Sequence, residues 1–132
     1  MATVPLLKDQ DAPAASRAVF DDIRAARGTD YVNNFWRALA HDPDSLRAIW
    51  DRLGAVMAPG ALDPLVKELV YIAVSATNGC SYCVHSHTAA ARAKGMTAQQ
   101  HAELLAVIGM ASQTNALATA LQVPTDPRFQ ED

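Results

Sequence analysis

The sequence predicts an all-α fold, a single-domain helical bundle of about six to seven helices. Alanine makes up about a fifth of the 132 residues, and alanine has the highest helix propensity of all residues. Apolar residues recur at intervals of three and four along most of the chain, as they do on one face of an amphipathic helix. Proline, glycine and aspartate stand between these stretches, where helices commonly begin and end.

The first half of the chain contains three predicted helices. Val19 and Ile23 share one helical face, and Gly28 ends that stretch. The segments 41–44 and 59–60, which both contain proline, end the next two stretches. In order, the predicted helices span residues 13–26, 31–40 and 46–57.

The second half begins with Asp63, a favourable N-cap followed by proline at the first helical position. The helix predicted over residues 64–77 is apolar nearly all round, which favours a central helix buried on several sides. Asn78-Gly79 then turns the chain into a helix over residues 81–94. We expect Gly95 to end that helix in a left-handed conformation.

The rest of the chain contains two predicted helices and a tail. Thr97 and Gln100 form the capping-box pattern, so a helix begins there and runs to about residue 108. A last helix follows, to about residue 121. Residues 124–132 form an acidic, proline-containing tail.

Charge and composition exclude several classes of function. The net charge is −3 and no basic run could neutralise phosphates, so nucleic-acid binding has no support. Residues 1–10 lack the features of a signal peptide, and no stretch approaches the roughly 18 apolar residues of a membrane span. We therefore expect one cytoplasmic domain over residues 1–132, with its core at about residues 30–123 and no membrane association.

The two cysteines, Cys80 and Cys83, are separated by two residues. A disulfide between them closes too small a loop to stabilise a fold, and a reducing compartment disfavours a standing structural disulfide. A CxxC pair of this kind therefore indicates either redox chemistry or half of a metal site.

Cys80, Cys83 and His87 lie along one stripe of a helix that begins near residue 80. The cysteines occupy its first turn, where unpaired backbone N–H groups and the helix dipole favour a thiolate. His87 lies one turn beyond Cys83, so it can take the thiol proton and stay hydrogen-bonded to the thiolate. This spacing predicts an activated cysteine nucleophile.

Glu68 completes the candidate site through the turn at residues 78–79. If the helices on either side of this turn run antiparallel, His87 lies opposite about Tyr71, one helical turn from Glu68. A carboxylate in this otherwise apolar helix can then accept a hydrogen bond from His87 and fix its tautomer. We therefore predict that Glu68 orients His87.

The run from Glu68 through Cys80-Ser-Tyr-Cys83 to His87 resembles the alkylhydroperoxidase D and carboxymuconolactone decarboxylase family. The redox branch of that family has a glutamate, then a CxxC pair, then a histidine four residues further on. The resemblance extends over roughly residues 30–123, with further similar segments at residues 33–39, 62–64, 94–97 and 115–118.

The resemblance implies an all-helical peroxidase that assembles as a trimer or hexamer. It implies that Cys83 attacks a small hydroperoxide and becomes a sulfenic acid, and that Cys80 resolves this to a disulfide. His87 and Glu68 then form the proton relay. The resemblance also implies an external dithiol reductant, of protein or lipoyl type, and no cofactor besides the redox-active Cys80–Cys83 pair.

One residue departs from the pattern of the family's peroxidases. The best-studied of these peroxidases carry a histidine between the two cysteines, where this chain has Tyr82. This departure implies a shorter proton relay and a weaker peroxidase activity.

Two alternative functions stay open. A lactone decarboxylase of the sister branch works without the cysteine pair, so the complete CxxCxxxH pattern argues against it. A zinc-binding or redox-sensing protein without turnover would use the cysteines and His87. His85 is turned toward another face of the helix, so a tetrahedral zinc site would need an outside ligand.

Overall fold

A computed structural model describes residues 1–129 of the chain, and over this range the protein is all-helical, with no strand. The predicted all-α fold is therefore confirmed. Short 3-10 helices lie near each end, at Asp9–Asp11 and Pro127–Phe129. The six α-helices of the described range are α1 (Ala14–Arg27), α2 (Asn34–Leu39), α3 (Pro43–Met57), α4 (Pro64–Thr77), α5 (Ser81–Ala93) and α6 (Ala98–Ala120).

The helices belong to two compact units, one over Met1–Ala58 and one that begins at Pro59. The first unit contains α1, α2 and α3, and the second contains α4, α5 and α6. The expectation that the whole chain is one domain stays a prediction. Of the predicted tail, residues 130–132 lie outside the described residues.

The first unit has a core of large side chains from all three of its helices. Phe20 and Ile23 of α1 are fully buried, as is Leu46 of α3. Trp36 of α2 is 2% exposed and meets Trp50 of α3 edge to face, with ring centroids 5.3 Å apart. Aromatic burial of this kind is a main source of apolar stabilisation.

The second unit has a smaller core, formed where α4 packs against α5 and α6. Its buried members are Ile72 of α4, Ala91 of α5 and Met96 in the loop after α5. Leu65, Leu69 and Leu104 are partly buried against them. The close approach of α5 depends on a small side chain, because Ala91 is fully buried.

Most of the predicted helix boundaries are confirmed. Asp63 caps α4 by accepting a hydrogen bond from the backbone N–H of Leu65, with proline at the first helical positions. Thr97 and Gln100 form the reciprocal capping box at the start of α6. Gly28 ends α1 in the left-handed region, at φ 62°.

The predicted start of the second helix is wrong. The prediction was residues 31–40, but α2 begins at Asn34 because the backbone of Asn33 is extended, with φ −63° and ψ 152°. Val32 is buried in the core of the first unit, and its carbonyl oxygen accepts a hydrogen bond from Arg37 Nε at 3.2 Å. The Asn33 side chain accepts from Arg27. These contacts hold the segment before α2 outside the helix.

The predicted helix boundary near residue 108 is also wrong, because α6 is one continuous helix of 23 residues. Gly109 lies in its middle and does not end it. A glycine inside a helix costs about 1 kcal/mol relative to alanine. The alanine-rich sequence around it offsets that cost, since alanine is the best helix former.

The predicted burial of α4 on several sides is also wrong. Its buried polar and apolar residues, Glu68, Ile72 and Ser75, lie on the face that α5 and α6 cover. The other face carries Val66, Val70 and Val74, with exposed fractions of 41%, 52% and 53%. The apolar pattern was read correctly as helical, but part of it faces outward in this chain.

Across residues 1–129, none of the helices combines the length and apolar character needed to cross a membrane.

We expect substitution of a buried leucine to lower the free energy of unfolding far more than substitution of an exposed one. Leu46→Ala removes a fully buried side chain and is expected to lower the free energy of unfolding by about 2–5 kcal/mol. Leu62→Ala is the matched control, because Leu62 is 54% exposed in a loop, and its cost is expected within about 0.5 kcal/mol. Urea denaturation measures both. Equal costs for the two variants would contradict the assigned core.

Candidate active site

The candidate site lies on the helical hairpin formed by α4 and α5. The chain reverses over Asn78, Gly79 and Cys80. Gly79 takes a left-handed backbone conformation, at φ 69°, that residues other than glycine rarely adopt. The backbone N–H of Cys80 donates to the carbonyl oxygen of Ser75 at 2.9 Å, which closes the turn onto the end of α4. Residues at equal distances from the turn are thereby brought face to face.

The cysteine pair begins α5. Cys80 is the N-cap residue, and its Sγ accepts a hydrogen bond from the backbone N–H of Cys83 at 3.2 Å. The two cysteines are joined by a disulfide bond, and both are partly buried. The first turn of a helix concentrates unpaired N–H groups and the positive end of the helix dipole. The expectation that this position favours a thiolate at Cys83 in the reduced protein stays a prediction.

His87 lies one turn beyond Cys83 on α5, and Glu68 on α4 holds its ring. His87 Nδ1 is 2.7 Å from Glu68 Oε2. Because a carboxylate only accepts hydrogen bonds, Nδ1 carries the proton and donates it to Glu68. In the neutral ring this arrangement leaves Nε2 with a lone pair that can accept a proton. The predicted hydrogen bond between Glu68 and His87 is therefore present.

Tyr71 covers one face of the His87 ring. The two rings are stacked, with centroids 3.5 Å apart and planes 18° from parallel. The sequence placed Tyr71 opposite His87 without giving it a role. Together, the Glu68 carboxylate fixes the edge of the imidazole and the Tyr71 ring restricts its rotation.

Glu68 has a second partner that the sequence analysis missed. Lys94 Nζ donates to Glu68 Oε1 at 2.9 Å, so each carboxylate oxygen accepts a hydrogen bond from a different side chain. The Glu68 side chain is only 5% exposed, whereas the Lys94 side chain is 40% exposed. Lys94 lies seven residues after His87, which is two turns along the same helix face. This seven-residue spacing is the sequence feature from which Lys94 could have been predicted as a neighbour of the site.

The structure thus brings Glu68 and His87 into contact and places both cysteines at the start of the helix that carries His87. Tyr82 is 43% exposed, and His85 is exposed on another side of α5, as predicted. Among residues 1–129, no three His, Cys, Asp or Glu side chains are grouped as a metal site would need. The catalytic roles of Cys80, Cys83, His87 and Glu68 stay predictions.

The family model that matches the chain is that of the carboxymuconolactone decarboxylase family, over residues 43–126. An uncharacterised protein of Cupriavidus necator is 34% identical over 77 residues, which are 58% of this chain and 68% of that protein.

The chain is also similar to proteins named AhpD. The alkyl hydroperoxide reductase AhpD of Solibacter usitatus is 43% identical over 72 residues, which cover 54% of this chain and 39% of that protein. The matched region thus spans about two fifths of that curated relative. The crystal structure of an alkylhydroperoxidase AhpD core from Rhodospirillum rubrum is 60% identical, with a TM-score of 0.96, and the match covers 100% of this chain and 99% of that one.

The stacked rings predict a measurable coupling between Tyr71 and His87. In a double-mutant cycle with Tyr71→Leu and His87→Ala, the two changes in unfolding free energy are expected to differ from additivity by about 0.5–1.5 kcal/mol. Tyr71→Phe is the control and is expected to keep the coupling, because it keeps the ring. Additivity within about 0.3 kcal/mol would show that the stacking contributes no stability.

Proposed function

The chain belongs to the carboxymuconolactone decarboxylase family, and from that premise we propose that it is a thiol-dependent peroxidase of the alkyl hydroperoxide reductase type. One observation carries the proposal: a Cys80–Cys83 disulfide at the start of α5 stands one turn before a histidine whose Nδ1 is held by a buried glutamate. The names of the AhpD relatives support the same activity.

In the first step Cys83 is the nucleophile. His87 Nε2 takes the proton of the Cys83 thiol, and the thiolate attacks an oxygen of the hydroperoxide. A sulfur–oxygen bond forms, the oxygen–oxygen bond breaks, and the alcohol leaves with the proton that His87 returns. Cys83 is now a sulfenic acid and the peroxide has been reduced by two electrons. The i, i+4 spacing of Cys83 and His87 supports this assignment over one with Cys80.

In the second step Cys80 resolves the sulfenic acid. Its thiol sulfur attacks the sulfur of Cys83, a disulfide forms and water leaves. The product is the disulfide that joins these two residues in the structure. An external dithiol, of protein or lipoyl type, then attacks the disulfide and is itself oxidised, which restores both thiols. By the same proposal the protein works in the cytoplasm, where such dithiols are kept reduced.

The alternative function is that of a lactone decarboxylase. The observation in its favour is that the matched family is named for such an enzyme. That reaction needs no cysteine pair. Full decarboxylase activity in a Cys80→Ala/Cys83→Ala variant would support it over the peroxidase. A zinc-binding or redox-sensing role without turnover is the other alternative, and metal analysis tests its zinc-binding form, since a structural zinc gives about one equivalent per chain.

We also propose that the protein is a homo-oligomer, a trimer or a hexamer. Exposed apolar side chains on two helices support this: Val66, Val70 and Val74 on α4, and Leu105 and Met110 on α6. Val66, Val70 and Val74 are spaced four residues apart on one face of α4, and an exposed apolar face commonly marks a protein–protein interface. Burial between subunits would compensate for the small core of the second unit.

Substitution of the two cysteines separates their roles. Cys83→Ser is expected to lose peroxide turnover with a dithiol reductant, because no sulfenic acid can form. Cys80→Ser is expected to undergo one oxidation per chain and then stop, with a sulfenic acid on Cys83 that dimedone traps. His87→Ala is expected to slow the oxidation by about 10²–10⁴-fold, the usual contribution of a positioned base. Wild-type turnover by Cys83→Ser would refute the assignment.

A charge on the exposed face of α4 is expected to weaken assembly. In Val70→Lys an ammonium replaces an apolar side chain that is 52% exposed in the single chain, and its burial in an interface would be costly. Light scattering after size-exclusion chromatography is expected to show a smaller assembly than for the wild type. The control is Val4→Lys, at a valine that is 42% exposed in the first unit. Equal masses for all three proteins would contradict this interface.

A further inference from the structure

The charge balance around Glu68 extends beyond the pair with His87. Glu68 lies on α4 with a side chain that is 5% exposed, and its two oxygens accept from two different donors. His87 Nδ1 is 2.7 Å from one oxygen and Lys94 Nζ is 2.9 Å from the other. Tyr71 also contacts this cluster, because its ring stacks on the imidazole.

A buried carboxylate is stable in its ionised form only when a positive charge or several hydrogen bonds compensate for lost hydration. Two cations could supply that charge here: the Lys94 ammonium or a His87 imidazolium. If Lys94 supplies it, the pair of Glu68 and Lys94 is neutral overall. His87 can then hold its Nδ1–H bond to Glu68 as a neutral ring, with Nε2 unprotonated.

We propose that Lys94 is a positioning residue, which neutralises Glu68 so that His87 stays a neutral imidazole with Nε2 ready to accept the proton of Cys83. The proposal rests on the peroxidase function for its catalytic consequence. Its structural part, the charge state of His87, stands without that function and is measured separately.

The backbone of Lys94 is placed for this role. Lys94 is the C-cap of α5, and its N–H donates to the carbonyl oxygens of Ala90 and Ala91, each at 3.1 Å. Gly95 follows at φ 94°, a conformation that lets the chain leave the helix directly after Lys94. The lysine therefore sits at the fixed end of the helix whose beginning carries the cysteines. Its side chain is partly exposed, and its ammonium contacts Glu68 of α4.

The decisive variants replace Lys94 with another long side chain, in one case without and in the other case with a positive charge. Lys94→Met removes the ammonium, and Lys94→Arg keeps a positive charge. Arg92→Met is the matched control, because Arg92 is an exposed cation in the last turn of the same helix. A Glu68→Gln background removes the carboxylate charge that Lys94 is proposed to balance. Circular dichroism checks that each variant is folded.

The first readout is the protonation of His87, measured by long-range ¹H–¹⁵N NMR of the imidazole in the disulfide form at pH 7. The wild type, Lys94→Arg and Arg92→Met are expected to show a neutral ring protonated at Nδ1. Lys94→Met is expected to gain an imidazolium signal, because His87 then supplies the charge that Glu68 needs. In the Glu68→Gln background, Lys94→Met is expected to have no such effect. A neutral ring in Lys94→Met, unchanged from the wild type, would overturn the proposal.

The second readout is the rate at which an alkyl hydroperoxide oxidises the reduced protein in a single turnover. Lys94→Met is expected to slow this step about tenfold, part of the 10²–10⁴ that a positioned base contributes. Lys94→Arg is expected to restore most of the rate, and Lys94→Met is expected to add nothing in the Glu68→Gln background. Equal slowing in both backgrounds would show that Lys94 acts independently of Glu68 and overturn the proposal.

The two readouts separate the failure of this proposal from the failure of the peroxidase assignment. A wild-type protein that peroxide does not oxidise, but whose His87 signal changes in Lys94→Met, refutes the peroxidase and supports the charge balance. A wild-type protein that peroxide oxidises, with no effect of Lys94→Met on either readout, keeps the peroxidase and refutes the role of Lys94.

Discussion

The hydrogen bond from His87 Nδ1 to the buried carboxylate of Glu68 is the interaction on which the candidate site depends. It joins α4 to α5, fixes the tautomer of the histidine and leaves Nε2 as the acceptor. A carboxylate side chain that is 5% exposed is costly to bury unless its oxygens have partners. Lys94 and His87 each donate a hydrogen bond to one of its oxygens, so the residues that satisfy this buried group are also those of the candidate site.

A CxxC pair alone does not determine where its cysteines lie relative to other side chains, and here the helical hairpin of α4 and α5 determines it. The left-handed Gly79 reverses the chain, and Cys80 begins α5 as its N-cap. This placement puts Cys83 in the first turn, where the backbone favours a negative charge on sulfur. Glu68 and His87 are farther along the hairpin, so this hydrogen-bonded pair is held by two helices, with Lys94 directly after the end of α5. The second unit achieves this with a small core, because Ala91 allows α5 to approach closely.

Local patterns in the sequence were sufficient for most of the fold and for part of the site. Caps such as Asp63 and Gly28 act within a few residues, and the opposition of Tyr71 and His87 followed from counting outward from one turn. What depended on tertiary packing was harder to predict. Which face of α4 is covered, and the continuity of α6 through Gly109, are decided by neighbouring helices and flanking residues. The Lys94–Glu68 pair joins residues 26 apart, and the register of the two packed helices brings them into contact.

The most direct test of the proposed peroxidase cycle is mass spectrometry of the reduced protein before and after one equivalent of an alkyl hydroperoxide. The cycle predicts a loss of about two mass units, the two hydrogens removed on disulfide formation. Peptide mapping is expected to locate that loss to a bond between Cys80 and Cys83. Thiols that stay reduced after exposure to the peroxide would contradict the central claim.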